Sequence, residues 1–164
     1  MKLIESLPLS ELTKQNIFVK LFGFLKVPMI FWVGPKVLEL SDQMCEIKIP
    51  FNRRTKNHLN SMYFGVLCTG ADLAGGLVAM EEIRKSKKNV ALSFKDFKAN
   101  FLKRAHGDVH FRCTQAKEVA AFVEKVVAST ERHNMTVLVD AFVPSSGDSA
   151  PVATFELTLS LKKK

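Results

Sequence analysis

The sequence predicts an α+β domain in which one antiparallel sheet wraps around one long buried helix. Three observations carry that expectation. The first is the stretch TGADLAGGLVAM at residues 69–80, small or apolar throughout except for the carboxylate of Asp72. A helix with no polar face over residues 64–80 has to be covered on most sides. The second is strand alternation, clearest where Cys45, Ile47, Ile49 and Phe51 and then Phe155, Leu157, Leu159 and Leu161 interleave with polar neighbours. The third is the order of elements: helix, hairpin, long helix, then four strands with one inserted helix, a pattern that one wrapped sheet satisfies.

Each element has its own local signal. Ser10 can cap a helix over residues 10–25, with Leu12, Ile17, Leu21 and Leu25 approximating one apolar stripe. Pro28 and the Gly34-Pro35 pair end it and lead into extended chain. Residues 37–51 read as two short strands or one bent strand, and the polar loop NRRTKNHLNS leads into the central helix, expected over residues 62–86. Lys85, Lys87 and Lys88 lie at or just past its end, where cations complement the helix dipole. Val90, Leu92 and Phe94 alternate, then Phe97, Ala99 and Phe101 resume out of phase, so one extra residue near Lys95 and Asp96 predicts a β-bulge. His106-Gly107-Asp108 reads as a hairpin turn before Val109, Phe111 and Cys113. The stretch AKEVAAFVEKVVAS at 116–129 is amphipathic, with Val119, Phe122, Val123 and Val126 on one face. Residues 136–143 and 152–161 are the last two strands, separated by PSSGDSAP, and His133 falls in a loop.

A chain of 164 residues with 47% hydrophobic content is expected to form one domain, residues 1–164, with an N-terminal helical segment over 1–35. No stretch reads as the roughly 20 apolar residues of a membrane span. The longest candidate, LFGFLKVPMIFWVG, contains Lys26 and Pro28 and lies too far along for a cleavable signal, so a soluble cytoplasmic protein is expected. Cys45, Cys68 and Cys113 are odd in number, scattered and at apolar positions, which reads as core side chains without disulfides. The net charge of +8 favours anionic partners: nucleic acid, lipid headgroups or a phosphorylated molecule such as coenzyme A. Lys162, Lys163 and Lys164 read as a solvated end.

Gly65, Gly70, Gly75 and Gly76 are four of the eight glycines of the chain, and all fall in the central helix. Each costs about 1 kcal/mol relative to alanine in a helix interior, and close approach of other backbone is the expected compensation. Gly65, Thr69, Asp72, Gly76 and Ala79 share one side at three- and four-residue spacing, and that small side lets a ligand or another subunit come close to Asp72. An unpaired carboxylate there costs several kcal/mol of desolvation or takes up a proton with a raised pKa. Two readings stand side by side: a structural aspartate bonded to backbone or lysine, or a general base or nucleophile in a cleft.

The segment NHLNSMYFGVLCTGADLAGGLVA, residues 57–79, resembles the signature of hot-dog-fold thioesterases of the phenylacetate-pathway type. That signature places an asparagine, six residues later His-Gly-Gly opening a helix, and an aspartate nine residues after the histidine. Asn57, Tyr63, Phe64, Gly65 and Asp72 stand at those places in the same spacing. The wording NRRTKNHLNSMYFG followed by GADLAGG is similar to a group of uncharacterised bacterial hot-dog proteins assigned as thioesterases. The resemblance implies a hot-dog fold and hydrolysis of an acyl-CoA or related thioester without a cofactor. It gives Asp72 the role of base or nucleophile, the Phe64 and Gly65 amides an oxyanion hole, Asn57 the ordering of loop or substrate, and Tyr63 a substrate contact. Helix N-terminal amides are well suited to a developing oxyanion. Phe64 and Asp72 are eight residues apart, hence roughly 12 Å along the axis, so one carbonyl cannot reach both. If both act, they come from different subunits, and a homodimer or dimer of dimers is expected. Tyr63 and Phe64 replace the histidine and first glycine of the family; an amide survives the change, but a ring is added. A serine or threonine on the strand after the helix often holds the attacking water in that family, and Ser93 is the nearest candidate, one position off.

Arg53, Arg54 and Lys56 precede the central helix and can hold coenzyme A phosphates, with Lys103 and Arg104 a second set for the same role. His106, Asp108 and His110 have no fourth partner for a metal, and no metal site is expected. His58 reads as a surface residue. There is no G-x-S-x-G, and GADLAGG lacks the Lys-Ser/Thr ending of a phosphate loop. One Tyr and one Trp offer little for bases to stack on, so nucleic acid is not the expected partner. The apolar stretch over 18–33 closes the core or, in an acyl-handling protein, covers a fatty tail. The alternatives to an enzyme are a non-catalytic acyl-CoA binding or sensing module, or a basic nucleic-acid or membrane-surface protein.

Overall fold

The computed structural model of the chain describes residues 8–164. Helix α1 spans Glu11–Leu25 and is capped by Ser10, whose hydroxyl accepts from the Thr13 amide at 3.2 Å. A second short helix, α2, follows at Pro28–Val33, where extended chain was expected. The reason is local: proline is accommodated at a helix N-terminus, and Gly34 (φ 65°) closes the helix in the left-handed conformation. Strands β1 (Lys36–Leu40) and β2 (Cys45–Ile49) form a hairpin, and the central helix α3 runs Phe64–Ser86. Then come β3 (Val90–Phe101), β4 (Val109–Cys113), α4 (Ala116–Val127), β5 (Arg132–Phe142) and β6 (Ala153–Lys163).

All strand pairs are antiparallel, in the order β1-β2-β4-β5-β6-β3. This is the hot-dog arrangement, a six-stranded sheet curled around α3. The bulge falls between Phe94 and Phe97, where the register against β6 slips by one residue. The turn at His106-Gly107-Asp108 is not a hairpin. It carries the chain from the β3 edge to the middle of the sheet, because β3 finds a longer partner in β6. His133 lies in β5 rather than a loop, with a buried Nε2 that has no hydrogen-bond partner among the described residues.

The core lies between the concave face of the sheet and α3. Phe111, Val137, Val139, Phe155 and Leu157 point into it, and eleven α3 residues between Val66 and Ala79 are buried. Two of the costly glycines are explained here. A Cβ on Gly70 would stand 2.3 Å from the Phe111 ring, and one on Gly75 would stand 3.1 Å from Val137. They let the helix settle on its own sheet, a use different from the expected approach of a second helix. By length and composition α3 could cross a membrane, against the expectation that no segment qualifies, but it is the buried core helix. Helix α4 covers α3 from another side through Val119, Val123 and Val126. Cys45 and Cys113 are buried directly opposite each other on β2 and β4, Cys68 is half-buried, and all three are free thiols.

Candidate active site

The cover over α3 is incomplete on one side. Phe64 is exposed, and Gly65, Cys68, Thr69 and Asp72 are half-buried, whereas Gly76 and Ala79 further along the same side are buried. Thr69 turns its hydroxyl back to the Gly65 carbonyl at 2.8 Å and keeps to its own helix. On this side β3 supplies the covering ring of Phe94, 3.5 Å from where a Cβ on Gly76 would stand. The open side therefore runs along the edge of the sheet formed by β3, whose outer backbone has no strand partner among the described residues.

Asp72 sits in that opening. No hydrogen bond or ion pair reaches its carboxylate among the described residues, and burial alone pushes its pKa above the ordinary carboxylate range. This geometry departs from the structural reading, in which backbone or lysine would hold the group. An unpaired carboxylate in a partly desolvated opening is a stronger base than a solvated one and is free to approach a ligand.

The second group of interest is the start of α3. Tyr63 is the N-cap residue; its carbonyl accepts from Val66 at 2.9 Å and Leu67 at 3.2 Å. The Phe64 and Gly65 amides precede the first helical acceptors and have no partner among the described residues, so they point out of the helix with the positive end of its dipole. The entry is held from several sides. Tyr63 donates its amide to Thr55 O at 2.8 Å, Met62 donates to Ala105 O at 2.8 Å, and the buried Thr55 hydroxyl donates to Pro50 O at 2.7 Å. Asn57 is occupied within the loop: its Oδ1 accepts from the Leu59 amide at 2.9 Å and the Ser61 amide at 3.1 Å. The Tyr63 ring lies over Gly65, where an added Cβ would be 2.6 Å away, and meets the Phe64 ring at 4.8 Å.

An aromatic rim missed by the sequence reading adjoins these amides. Phe64 meets Phe101 edge-on at 6.0 Å, and Phe101 and Phe97 both contact Phe155, at 6.1 and 5.7 Å. Phe97 and Phe101 share by register the face of β3 that meets Phe155, yet they are 40% and 48% exposed at the edge of the sheet, where no further strand covers them among the described residues. The alternation in the sequence gives Phe97 and Phe101 one shared face, but that this face lies at a sheet edge depends on the strand order.

The other expected site residues fall in three places. Ser93 is exposed on the outer face, bonded to Ser160 O at 3.3 Å, because its neighbours Leu92 and Phe94 take the inner positions; it does not join Asp72. Arg53, Arg54 and Lys56 are exposed; the Arg54 guanidinium lies over the Trp32 ring at 5.2 Å and the Lys56 ammonium over Phe51 at 4.4 Å. Lys103 pairs with Asp148 at 2.5 Å beside exposed Arg104. The two basic sets belong to neighbouring loops, joined by the Met62–Ala105 bond and by His106 Nδ1 at 3.0 Å from Asn60 O. Asp108 and His110 are each engaged with other groups: Asp108 accepts from the Phe51 amide and pairs with Lys48, and His110 meets Glu46.

Comparisons with known proteins agree on the fold. A family profile described as a domain of unknown function, DUF4442, matches residues 14–160. A protein of unknown function from Chlorobaculum tepidum superposes with a TM-score of 0.80 at 11% identity, over 93% of this chain and 97% of that one. A thioesterase from Haemophilus influenzae superposes with a TM-score of 0.66 at 15% identity, over 94% and 92%. A single-residue variant of a thioesterase from Pseudomonas aeruginosa gives 0.66 at 14% identity, over 94% and 96%. No protein of curated function matches the chain. At these identities the likeness carries the hot-dog fold alone.

Proposed function

The chain belongs to the DUF4442 family, and from that premise we propose that it hydrolyses acyl-CoA or a related thioester at a site shared between two protomers. The observation that carries this reading is the unpartnered, half-buried Asp72 on the open side of α3. The thioesterases among the structural relatives lend it weight.

Asp72 acts as base toward a water, or attacks the thioester carbonyl itself. The Phe64 and Gly65 amides stabilise the oxyanion that forms on that carbonyl. Eight residues separate the two functions on one straight helix, roughly 12 Å along the axis, so the carboxylate and the amides serving one carbonyl belong to different chains. A β3-to-β3 contact supplies the pairing. It satisfies the free strand edge, covers exposed Phe97 and Phe101, and lays the open sides of two α3 helices toward each other. The loop around Asn57 holds the amides in place, Tyr63 borders the thioester, and the basic residues of the two neighbouring loops, Arg53, Arg54, Lys56, Lys103 and Arg104, offer charge for the phosphates of coenzyme A.

The test is free-thiol release across short, long and aromatic acyl-CoAs. The proposal expects turnover of at least one class. Tight acyl-CoA binding without thiol release would instead identify a sensing module, and neither binding nor release would remove acyl-CoA from the account.

A further inference from the structure

Away from Asp72, a cavity of about 880 Å³ opens between α1, the C-terminal half of α3 and the start of β3. Its walls include Phe18, Phe22, Leu77, Met80, Ile83 and Leu92. Around its mouth stand the acids Glu11 and Glu81 and the cations Lys14, Lys26, Arg84, Lys87 and Lys88. The acids are already engaged, Glu11 with Lys14 at 2.9 Å and Glu81 with Arg84 at 2.6 Å. Lys26, Lys87 and Lys88 are exposed and have no ion-pair partner among the described residues. The result is an apolar chamber of ligand size with surplus positive charge at its opening.

We propose that this chamber binds a single-chain anionic amphiphile, with its alkyl chain among Phe22, Leu77, Met80 and Leu92 and its anionic head at Lys26, Lys87 and Lys88. The chemistry on both sides matches: an alkyl chain leaves water for an apolar wall, and the head keeps its solvation while meeting three cations. A neutral chain would lose the second contribution and a short carboxylate the first. Met80, with its unbranched thioether, adapts to a chain of variable course. It lies eight residues beyond Asp72, roughly 12 Å along the helix axis, and the inference does not depend on hydrolysis at Asp72.

The probes are the saturated fatty carboxylates from decanoate to palmitate, with hexadecanol as the uncharged analogue, titrated below their aggregation limits. Binding should be saturable at one per chain and tighten roughly two- to fourfold per added CH2 until the chamber is full. The combined Lys26→Glu, Lys87→Glu and Lys88→Glu protein should bind palmitate about tenfold more weakly at low salt and hexadecanol unchanged. Met80→Trp should block palmitate by filling the chamber. A measurement on the unaltered protein guards against a variant that fails to fold: among the six methionine methyls, that of Met80 should shift with palmitate, its resonance assigned through Met80→Leu. Absence of saturable binding, a Met80 resonance that stays still, or palmitate binding equal to that of hexadecanol would each overturn the proposal. Acyl-CoA or lysophosphatidic acid displacing palmitate would identify the source of the same chemistry as a larger amphiphile.

Discussion

Glu46 and Asp72 are both carboxylates removed from full solvent, and the protein treats them in opposite ways. Glu46, on the outer face of the sheet, is met by His110 Nδ1 at 2.8 Å and by Arg112 at 2.9 Å. Burial pulls its pKa upward, but those hydrogen bonds and charges outweigh it and hold the group below the ordinary carboxylate range. Asp72 is withdrawn from solvent further still, with nothing to offset the burial, and its pKa rises. A fold that can build a complete ion-pair network around one carboxylate has left the other unpaired on the open side of its central helix. The lesson is that partner supply decides the sign of the shift: the carboxylate with partners is held ionised despite its burial, and the one without them is pushed toward the neutral form.

The largest effect expected from that contrast is on turnover. Asp72→Asn keeps the shape and removes the charge, so thiol release should fall by roughly 10²- to 10⁴-fold. Glu46→Gln should leave release unchanged. Next comes assembly: Phe97→Lys with Phe101→Lys puts charge on the free edge of β3, which should yield monomers by light scattering and lose activity with the dimer. An active monomer would detach the site from the pairing.

Stability should sharpen the comparison with opposite signs. Glu46→Gln should cost about 1–2 kcal/mol at neutral pH, because it weakens two charge-assisted bonds. The folded pKa of Glu46 lies below its unfolded value, so that contribution is full above the unfolded pKa and disappears as pH falls through the folded one. Asp72→Asn should instead raise the Tm at neutral pH, by about 2–4 °C for each kcal/mol of desolvation relieved. The folded pKa of Asp72 lies above its unfolded value. The gain from the substitution therefore grows as pH rises through the folded pKa and vanishes below the unfolded one, where aspartic acid is neutral in both states. Paired thermal melts from acid to neutral pH read both trends.

The smallest effects separate the glycines of α3. Gly70→Ala drives a methyl into the Phe111 ring and should destabilise by about 1–3 kcal/mol. Gly76→Ala meets only ordinary contact with Phe94 and should gain up to about 1 kcal/mol from helix propensity.

Much of this was legible in the sequence because it is periodic. The strand alternation, the apolar central helix, the Ser10 cap and the bulge after Phe94 are each written in a few neighbouring residues. The non-local features were not. The short helix α2 spans six residues, too few to display a period, and the partnership of β3 with β6 depends on a strand more than fifty residues away. Asp72 stood out because a carboxylate among small residues is costly wherever it lies. Its want of a partner became visible only in three dimensions. The glycines pointed correctly to close contact, but which neighbour comes close, Phe111 or a second helix, depends on the curl of the sheet. Ser93 lay one residue out of phase, and on a strand that places it on the other face.

The most direct test of a reaction centre shared between chains is complementation in mixed dimers. Phe64→Pro deletes one amide at a helix position that accepts proline, and Asp72→Asn removes the base. Each protein alone should be inactive. After subunit exchange at equal amounts, about a quarter of wild-type thiol release should return, because half the dimers are mixed and each holds one intact site. A mixture that exchanges subunits yet stays as inactive as its parents would contradict a centre assembled from two protomers.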